Sequence, residues 1–279
     1  MGAIFKLIRF NNLLILAFTQ ILVAIALVGI SPASVDLQQW LPLFFIVLST
    51  VFIAAGGYVI NDYYDVKIDY INRPERVTIG SDISRRKAMF FHFIITGLGI
   101  LIALILSWKT GLIAAFSAFC LWYYSNQLKR MPLIGNLTIA MLTALSLMQV
   151  SIYFGQSYLI TGIYAVFAFA LTVIRELIKD MEDVEGDKMH GCKTVPILWG
   201  MRNTKRLLMV FITLFILLMM GWMVSTNNVH LNIYFMGLSL PLILVVIYLL
   251  RADTKKHFKN LSLFCKLLMM GGVLSMLMV

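Results

Sequence analysis

The sequence predicts an all-α, polytopic membrane protein with nine transmembrane helices in a single domain covering residues 1–279. Composition is the first reason. The 279 residues are 61% hydrophobic and 13% charged, whereas soluble domains are about half apolar and a quarter charged. The second reason is that apolar runs near the ~20 residues a helix needs to cross a bilayer recur along almost the whole chain, leaving no stretch for a soluble domain. The third is a polar pattern that occurs twice, Asp62-x-x-Asp65-x-x-x-Asp69 and Asp180-x-x-Asp183-x-x-x-Asp187, with an interval of 118 residues. Each copy follows an even-numbered apolar run, so the nine runs read as two four-helix repeats plus a ninth helix.

In order along the chain, hydropathy places helices at about 11–30, 39–60, 88–107, 111–128, 134–154, 158–179, 204–224, 231–250 and 261–278. The first follows Lys6 and Arg9, as a secretory signal would, but it is long and has no small-residue cleavage site, so it reads as a retained helix. Lys6 stands where a myristoylation signal needs Ser or Thr. The connections after helices one, three, five and seven contain one basic residue, Lys109. The N-terminus and the connections after helices two, four, six and eight, with their flanking helix ends, contain 21 of the 23 Lys and Arg residues; the last is Lys266 in helix nine. By the positive-inside rule the N-terminus and both aspartate segments are cytoplasmic, as expected of a multi-pass protein of a prokaryotic plasma membrane. Orientation and anionic membrane lipid then account for the net charge of +10, and no nucleic acid is required.

If each aspartate segment extends the helix before it, Asp65 and Asp69 are i,i+4 neighbours on one face, as are Asp183 and Asp187. Asn61 continues the first stripe one turn earlier and Lys179 continues the second. Like charges at that spacing repel unless cations neutralise them. Hard oxygen ligands without a matching Cys/His set favour Mg2+, which uses one or two carboxylates together with waters and substrate phosphates, so a diphosphate can bridge two such clusters. The alternative is an ordinary pair of solvated loops; matched spacing at matched positions in the repeat argues against it, since carboxylates at a membrane boundary are costly.

At these residues the chain resembles the UbiA superfamily of intramembrane prenyltransferases. Asn61-Asp62-x-x-Asp65-x-x-x-Asp69 followed by Asn72-Arg73-Pro74 is similar to the family's first motif, and Lys179-Asp180-x-x-Asp183-x-x-x-Asp187 to its second. Tyr124-Ser125-x-x-x-Lys129-Arg130 resembles the segment after helix four, and Arg9-x-x-Asn12 the first-helix signature. The resemblance implies nine helices around a central cavity, Mg2+-dependent binding of a prenyl diphosphate donor, and prenyl transfer to a lipophilic acceptor. It implies that Asn61, Asp65, Asp69, Asp183 and Asp187 hold the metals, with Asp62 and Asp180 as further candidates. Lys67, Arg73 and Lys129 would meet diphosphate oxygens, and Asn12, Tyr124 and Lys179 belong to the substrate-binding segments. The run from Arg175 to Asp187, continuing to Gly191-Cys192-Lys193-Thr194, resembles the branch that includes geranylgeranylglycerol-phosphate geranylgeranyltransferases of ether-lipid synthesis. A phosphate-bearing acceptor needs a second anion site, for which Lys188, Lys193 and Arg202 are candidates.

Several readings stay open at this point. The basic residues also serve as positive-inside anchors, and Tyr63, Tyr64, Tyr123 and Tyr124 suit either an interfacial belt or a face turned to a prenyl cation. An aromatic quinone precursor is an alternative acceptor, and an ion-coupled transporter built from repeats is the rival of another class. Cys120, Cys192 and Cys265 suggest neither disulfides nor a thiolate metal site. Cys192 lies near His190, but no second pair completes a zinc site. His92, His230 and His257 read as packing or surface residues.

Overall fold

A computed structural model describes residues 2–33, 36–225 and 229–278, without the side chains of Arg76 and of seven residues between 224 and 238, His230 among them. The helices are α1 (Gly2–Leu7), α2 (Phe10–Leu22), α3 (Leu37–Asn72), α4 (Arg85–Leu106), α5 (Trp108–Asn126), α6 (Ile134–Phe154), α7 (Tyr158–Glu182), α8 (Val184–Met189), α9 (Val195–Ser225), α10 (Val229–Arg251) and α11 (Lys255–Leu274). A π-helical turn, Val23–Val28, continues α2 and stops at Gly29, whose φ of 84° suits a residue without a side chain. Among the described residues, extended pairing is confined to one bridge between Ile79 and Ile83.

Each expected span coincides with a helix to within a few residues, and among the described residues seven helices are long and apolar enough by themselves to cross a membrane. Polar ends explain α5, where Trp108, Lys109 and Thr110 open the helix and Tyr123, Tyr124, Ser125 and Asn126 close it. For α10 the described apolar stretch is Ser239–Arg251. Exposed side chains such as Ile105 and Leu159 cover the outer helix faces, a surface suited to lipid as solvent. Two further boundaries differ from expectation. α3 continues to Asn72 rather than ending near residue 60, and helix resumes at Val195 rather than near 204, interrupted by non-helical backbone at Gly200 (φ 76°, ψ 161°).

The chain forms two compact units, Met1–Lys129 with Leu145–Gly162, and Arg130–Ala144 with Ile163–Val279. In the first, α3 packs against α2, α4 and α5. Small residues let the backbones approach, the usual device where lipid removes the hydrophobic drive between helices. A Cβ on Gly99 would stand 2.9 Å from Ile53 Cγ1 and 3.0 Å from the Ser49 carbonyl oxygen, and Ser49 Oγ donates to the Gly99 carbonyl at 2.8 Å. His92 is buried with Nδ1 2.9 Å from the Gly56 carbonyl oxygen, so Nδ1 carries the proton and the ring is a satisfied packing residue. Gln20 Nε2 donates to the Ser146 carbonyl at 2.8 Å and to Thr50 Oγ1 at 3.1 Å, a polar tie between α2, α3 and α6.

The second unit is organised on an apolar cluster in which Leu177 and Ile178 of α7 join Leu208 and Ile212 of α9, Leu249 of α10 and Phe258 and Cys265 of α11. Phe167 and Phe215 add an edge-to-face ring pair at 5.6 Å. Lys205 Nζ donates to Asp253 Oδ1 at 2.8 Å, fastening the α10–α11 connection to α9. That hydrogen bond, with the lysine's charge, holds the exposed Asp253 carboxyl below its usual range.

Candidate functional site

The first aspartate motif lies on a continuous helix. Since α3 keeps its hydrogen bonding to Asn72, the 3.6-residue turn stacks Asn61, Asp65 and Asp69 along one face. Asn61 Nδ2 donates to Asp65 Oδ2 at 2.9 Å, and Lys129, from the turn after α5, forms an ion pair with Asp65 Oδ1. Asp65 is buried, so the neighbouring ammonium offsets what would otherwise be a costly isolated charge. Asp62 belongs to a different contact: Arg9 Nη2 donates to its Oδ1 at 2.8 Å. Arg9 sits in left-handed backbone (φ 51°) between α1 and α2, with its guanidinium 4.9 Å above the Tyr58 ring. The charge repulsion expected of three clustered aspartates is thus relieved at Asp65 and Asp62 by the protein's own cations.

The remaining predicted residues of this unit are placed unevenly. Lys67 is exposed, and two residues of helix turn it about 200° from Asp65, onto another side of α3. Arg73 caps α3, its backbone N–H donating to the Asp69 carbonyl at 2.8 Å. Asn12 occupies the first turn of α2 and Tyr124 the last turn of α5, and both are half-buried. Tyr63 packs edge-to-face on Tyr64 at 5.5 Å and lies under the Arg85 guanidinium at 5.1 Å, which commits its ring to a neighbouring cation.

The second motif is built differently, and here the single-helix stripe is corrected. α7 ends at Glu182, Asp183 leaves helical geometry (φ −98°, ψ 6°), and the short α8 follows with Asp187 inside it. The Asp187 N–H still donates to the Asp183 carbonyl at 3.2 Å, so one turn's spacing survives the break. Asp180, in the last turn of α7, accepts from Asn136 Nδ2 of α6 at 2.9 Å. Lys179 does not extend along an aspartate stripe but donates to Glu176, at 2.9 Å and 3.1 Å to its two oxygens; Arg175 Nη1 reaches Glu176 Oε1 at 2.8 Å. Lys188, Lys193 and Arg202 are exposed, and the backbone N–H of Lys193 donates to the Arg130 carbonyl at 2.8 Å. Cys192 is buried, and His190 Nδ1 is engaged with the Gly186 carbonyl at 3.0 Å.

Among the described residues no three His, Cys, Asp or Glu side chains converge as a complete metal cage. That arrangement still fits Mg2+, which takes one or two carboxylates and fills its octahedron with water and phosphate oxygens. The all-oxygen set of Asn61, Asp65 and Asp69 on one helix face has that chemistry.

Sequence reasoning missed Asn136, Arg175 and Glu176, and gave Arg9 no role. Arg9, just before α2, holds Asp62, and Asn136, in the first turn of α6, holds Asp180, so the first aspartate of each motif is tied to the start of another helix. Arg175 and Glu176 could have been found as charges buried inside an apolar run, which are functional by default.

A digeranylgeranylglyceryl phosphate synthase of Pyrococcus horikoshii is 36% identical over 210 residues, covering 75% of this chain and 73% of that protein. A solved structure of digeranylgeranylglyceryl phosphate synthase superimposes with a TM-score of 0.74 at 25% identity, covering 99% of this chain and 96% of the other. A UbiA homologue from Archaeoglobus fulgidus, solved with GPP and Mg2+, shares the fold with a TM-score of 0.66 at 18% identity, covering 99% and 100%. Residues 22–269 match the UbiA prenyltransferase family, a stretch that holds both aspartate motifs, Lys129, Asn136 and the Arg175–Lys179 cluster, and the chain belongs to that family.

Proposed function

We propose that this prenyltransferase moves a geranylgeranyl group from its diphosphate to geranylgeranylglycerol phosphate, the ether-forming step its Pyrococcus horikoshii relative is named for. The observation that carries the chemistry is the row Asn61, Asp65 and Asp69 on one face of α3 with the Lys129 ammonium on Asp65. Asp65 and Asp69 with Asn61, and Asp183 and Asp187 from the second motif, act on the same donor diphosphate, a reading supported by their equal spacing. Mg2+, present with GPP in the Archaeoglobus fulgidus homologue, supplies charge neutralisation for the leaving diphosphate when bound. Lys129 contributes a further cation on that side, strengthening as negative charge accumulates on the diphosphate oxygens. Apolar helix faces keep water from the allylic cation. The acceptor's hydroxyl oxygen attacks the allylic carbon and loses its proton, giving an ether and free diphosphate.

The nine-span topology, two four-helix repeats plus a ninth helix around a central cavity with both motifs cytoplasmic, belongs to the same proposal. Its support is the 118-residue interval, the segregation of Lys and Arg, and the parallel tethers of Asp62 and Asp180. The test is reconstitution with labelled geranylgeranyl diphosphate and either geranylgeranylglycerol phosphate or a naphthoquinone precursor. A labelled diether phosphate is the expected product; label transferred only to the aromatic ring would replace this acceptor with the other.

A further inference from the structure

The helix that carries the start of the second motif also carries a charge cluster outside the aspartate motif itself. Thr172, Arg175, Glu176 and Lys179 follow one another at i, i+3, i+4 and i+7 in α7, the spacing that lines up one helix face. Arg175 lies seven residues before the helix end at Glu182, about 10 Å along the axis at 1.5 Å per residue. Glu176 is buried and takes hydrogen bonds from both neighbouring cations, Arg175 at 2.8 Å and Lys179 at 2.9 Å. The adjacent Asp180 takes its hydrogen bond from Asn136, not from either cation.

A cluster serving only to bury one carboxylate would need one cation. Here two share it, and two donors of the same row, Arg175 Nε and Thr172 Oγ1, are buried with no hydrogen-bond partner among the described residues. Buried donors are almost always satisfied, and exceptions call for a further group. Two cations beside two unpartnered donors suit a phosphate, whose oxygens accept several charge-assisted hydrogen bonds at once. The exposed Lys188, Lys193 and Arg202 have no comparable arrangement.

We infer that the Thr172–Arg175–Glu176–Lys179 row is the head-group site of the acceptor lipid, with Arg175 and Lys179 binding its phosphate monoester and Glu176 orienting both cations. This rests on the proposed acceptor class. Donor diphosphate offers the same oxygen chemistry, so the experiment separates the two. Arg175→Gln, Lys179→Gln and the charge-retaining Arg175→Lys are assayed in proteoliposomes with geranylgeranyl diphosphate and, in turn, geranylgeranylglycerol phosphate and unphosphorylated geranylgeranylglycerol. Wild-type protein is expected to prefer the phosphorylated acceptor strongly in kcat/KM. Each Gln variant should cut that preference about tenfold or more, through acceptor KM, with Arg175→Lys between, as loss of a charge-assisted hydrogen bond predicts. Equal losses on both acceptors, or a rise confined to donor KM, overturns the assignment, as does a wild type indifferent to the acceptor's phosphate. Helical circular dichroism identifies the variants that keep the wild-type fold and are compared on the two acceptors, and the charge-retaining Arg175→Lys carries the comparison where a Gln variant does not fold. Transfer by the wild type to a naphthoquinone precursor, with neither glycerol acceptor used, instead overturns the acceptor class itself.

Discussion

Asp65 is held from both oxygens, by Asn61 within α3 and by Lys129 from the end of the next helix pair, while Asp62, three residues earlier, is held by Arg9. The two aspartates therefore differ in what their loss removes. Asp65→Asn should lower turnover about a thousandfold, equivalent to about 4 kcal/mol of transition-state stabilisation, and Asp183→Asn comparably, with helical circular dichroism unchanged. Asp62→Asn leaves the Asn61–Asp65–Asp69 row in place and should lower turnover less than about tenfold, the range of a disturbed hydrogen bond rather than a lost ligand. Diphosphate release measures all three; equal losses at Asp62 and Asp65 would remove the distinction. The aspartate spacing was legible in the sequence because like charges at i,i+4 demand compensation. The role of Asn136 was not, since one Asn at the start of a helix is an ordinary cap until the tertiary contact to Asp180 is seen.

α3 shows why a hydropathy boundary and a helix boundary differ. Apolar content falls at Asn61, but the backbone continues to Asn72, because the polar side chains there find partners that let the helix persist. The second motif offers the opposite outcome from the same spacing, with Asp183 breaking the helix; identical aspartate intervals cannot distinguish the two, as the difference lies in the backbone torsions. The α3–α4 contact is the element-scale feature most exposed to substitution. Gly99→Val would place atoms against Ile53 and the Ser49 carbonyl, closer than van der Waals contact allows. Overpacking of this kind costs about 1–3 kcal/mol, read as a lowered Tm in detergent; an unchanged Tm would show that the helices can separate freely there.

At the scale of the whole chain, the segregation of Lys and Arg proposes which connections face the cytoplasm. Cys120, Cys192 and Cys265 are buried, so engineered cysteines should dominate labelling by a membrane-impermeant maleimide. Lys188→Cys should react from the cytoplasmic side and Lys109→Cys from the other; the reverse pattern would invert the topology. Chelation of Mg2+ should abolish turnover and its return restore it, while full activity in EDTA would refute the assigned oxygen donors. The positions of the helices were legible in the apolar runs, even at α5, whose aromatic and polar ends lower its hydropathy without shortening the helix. One dimension of α3 has a kinetic consequence. Its 36 residues extend about 54 Å, well beyond a hydrocarbon thickness of ~30 Å, so its aspartate end can meet head groups in the polar zone while the prenyl chains of the proposed donor and acceptor stay among lipid tails. Donor and acceptor then encounter the enzyme by lateral diffusion within a sheet. Diluting vesicles with buffer should leave the rate per enzyme unchanged, whereas diluting the substrates with inert phospholipid should lower it in proportion to their mole fraction.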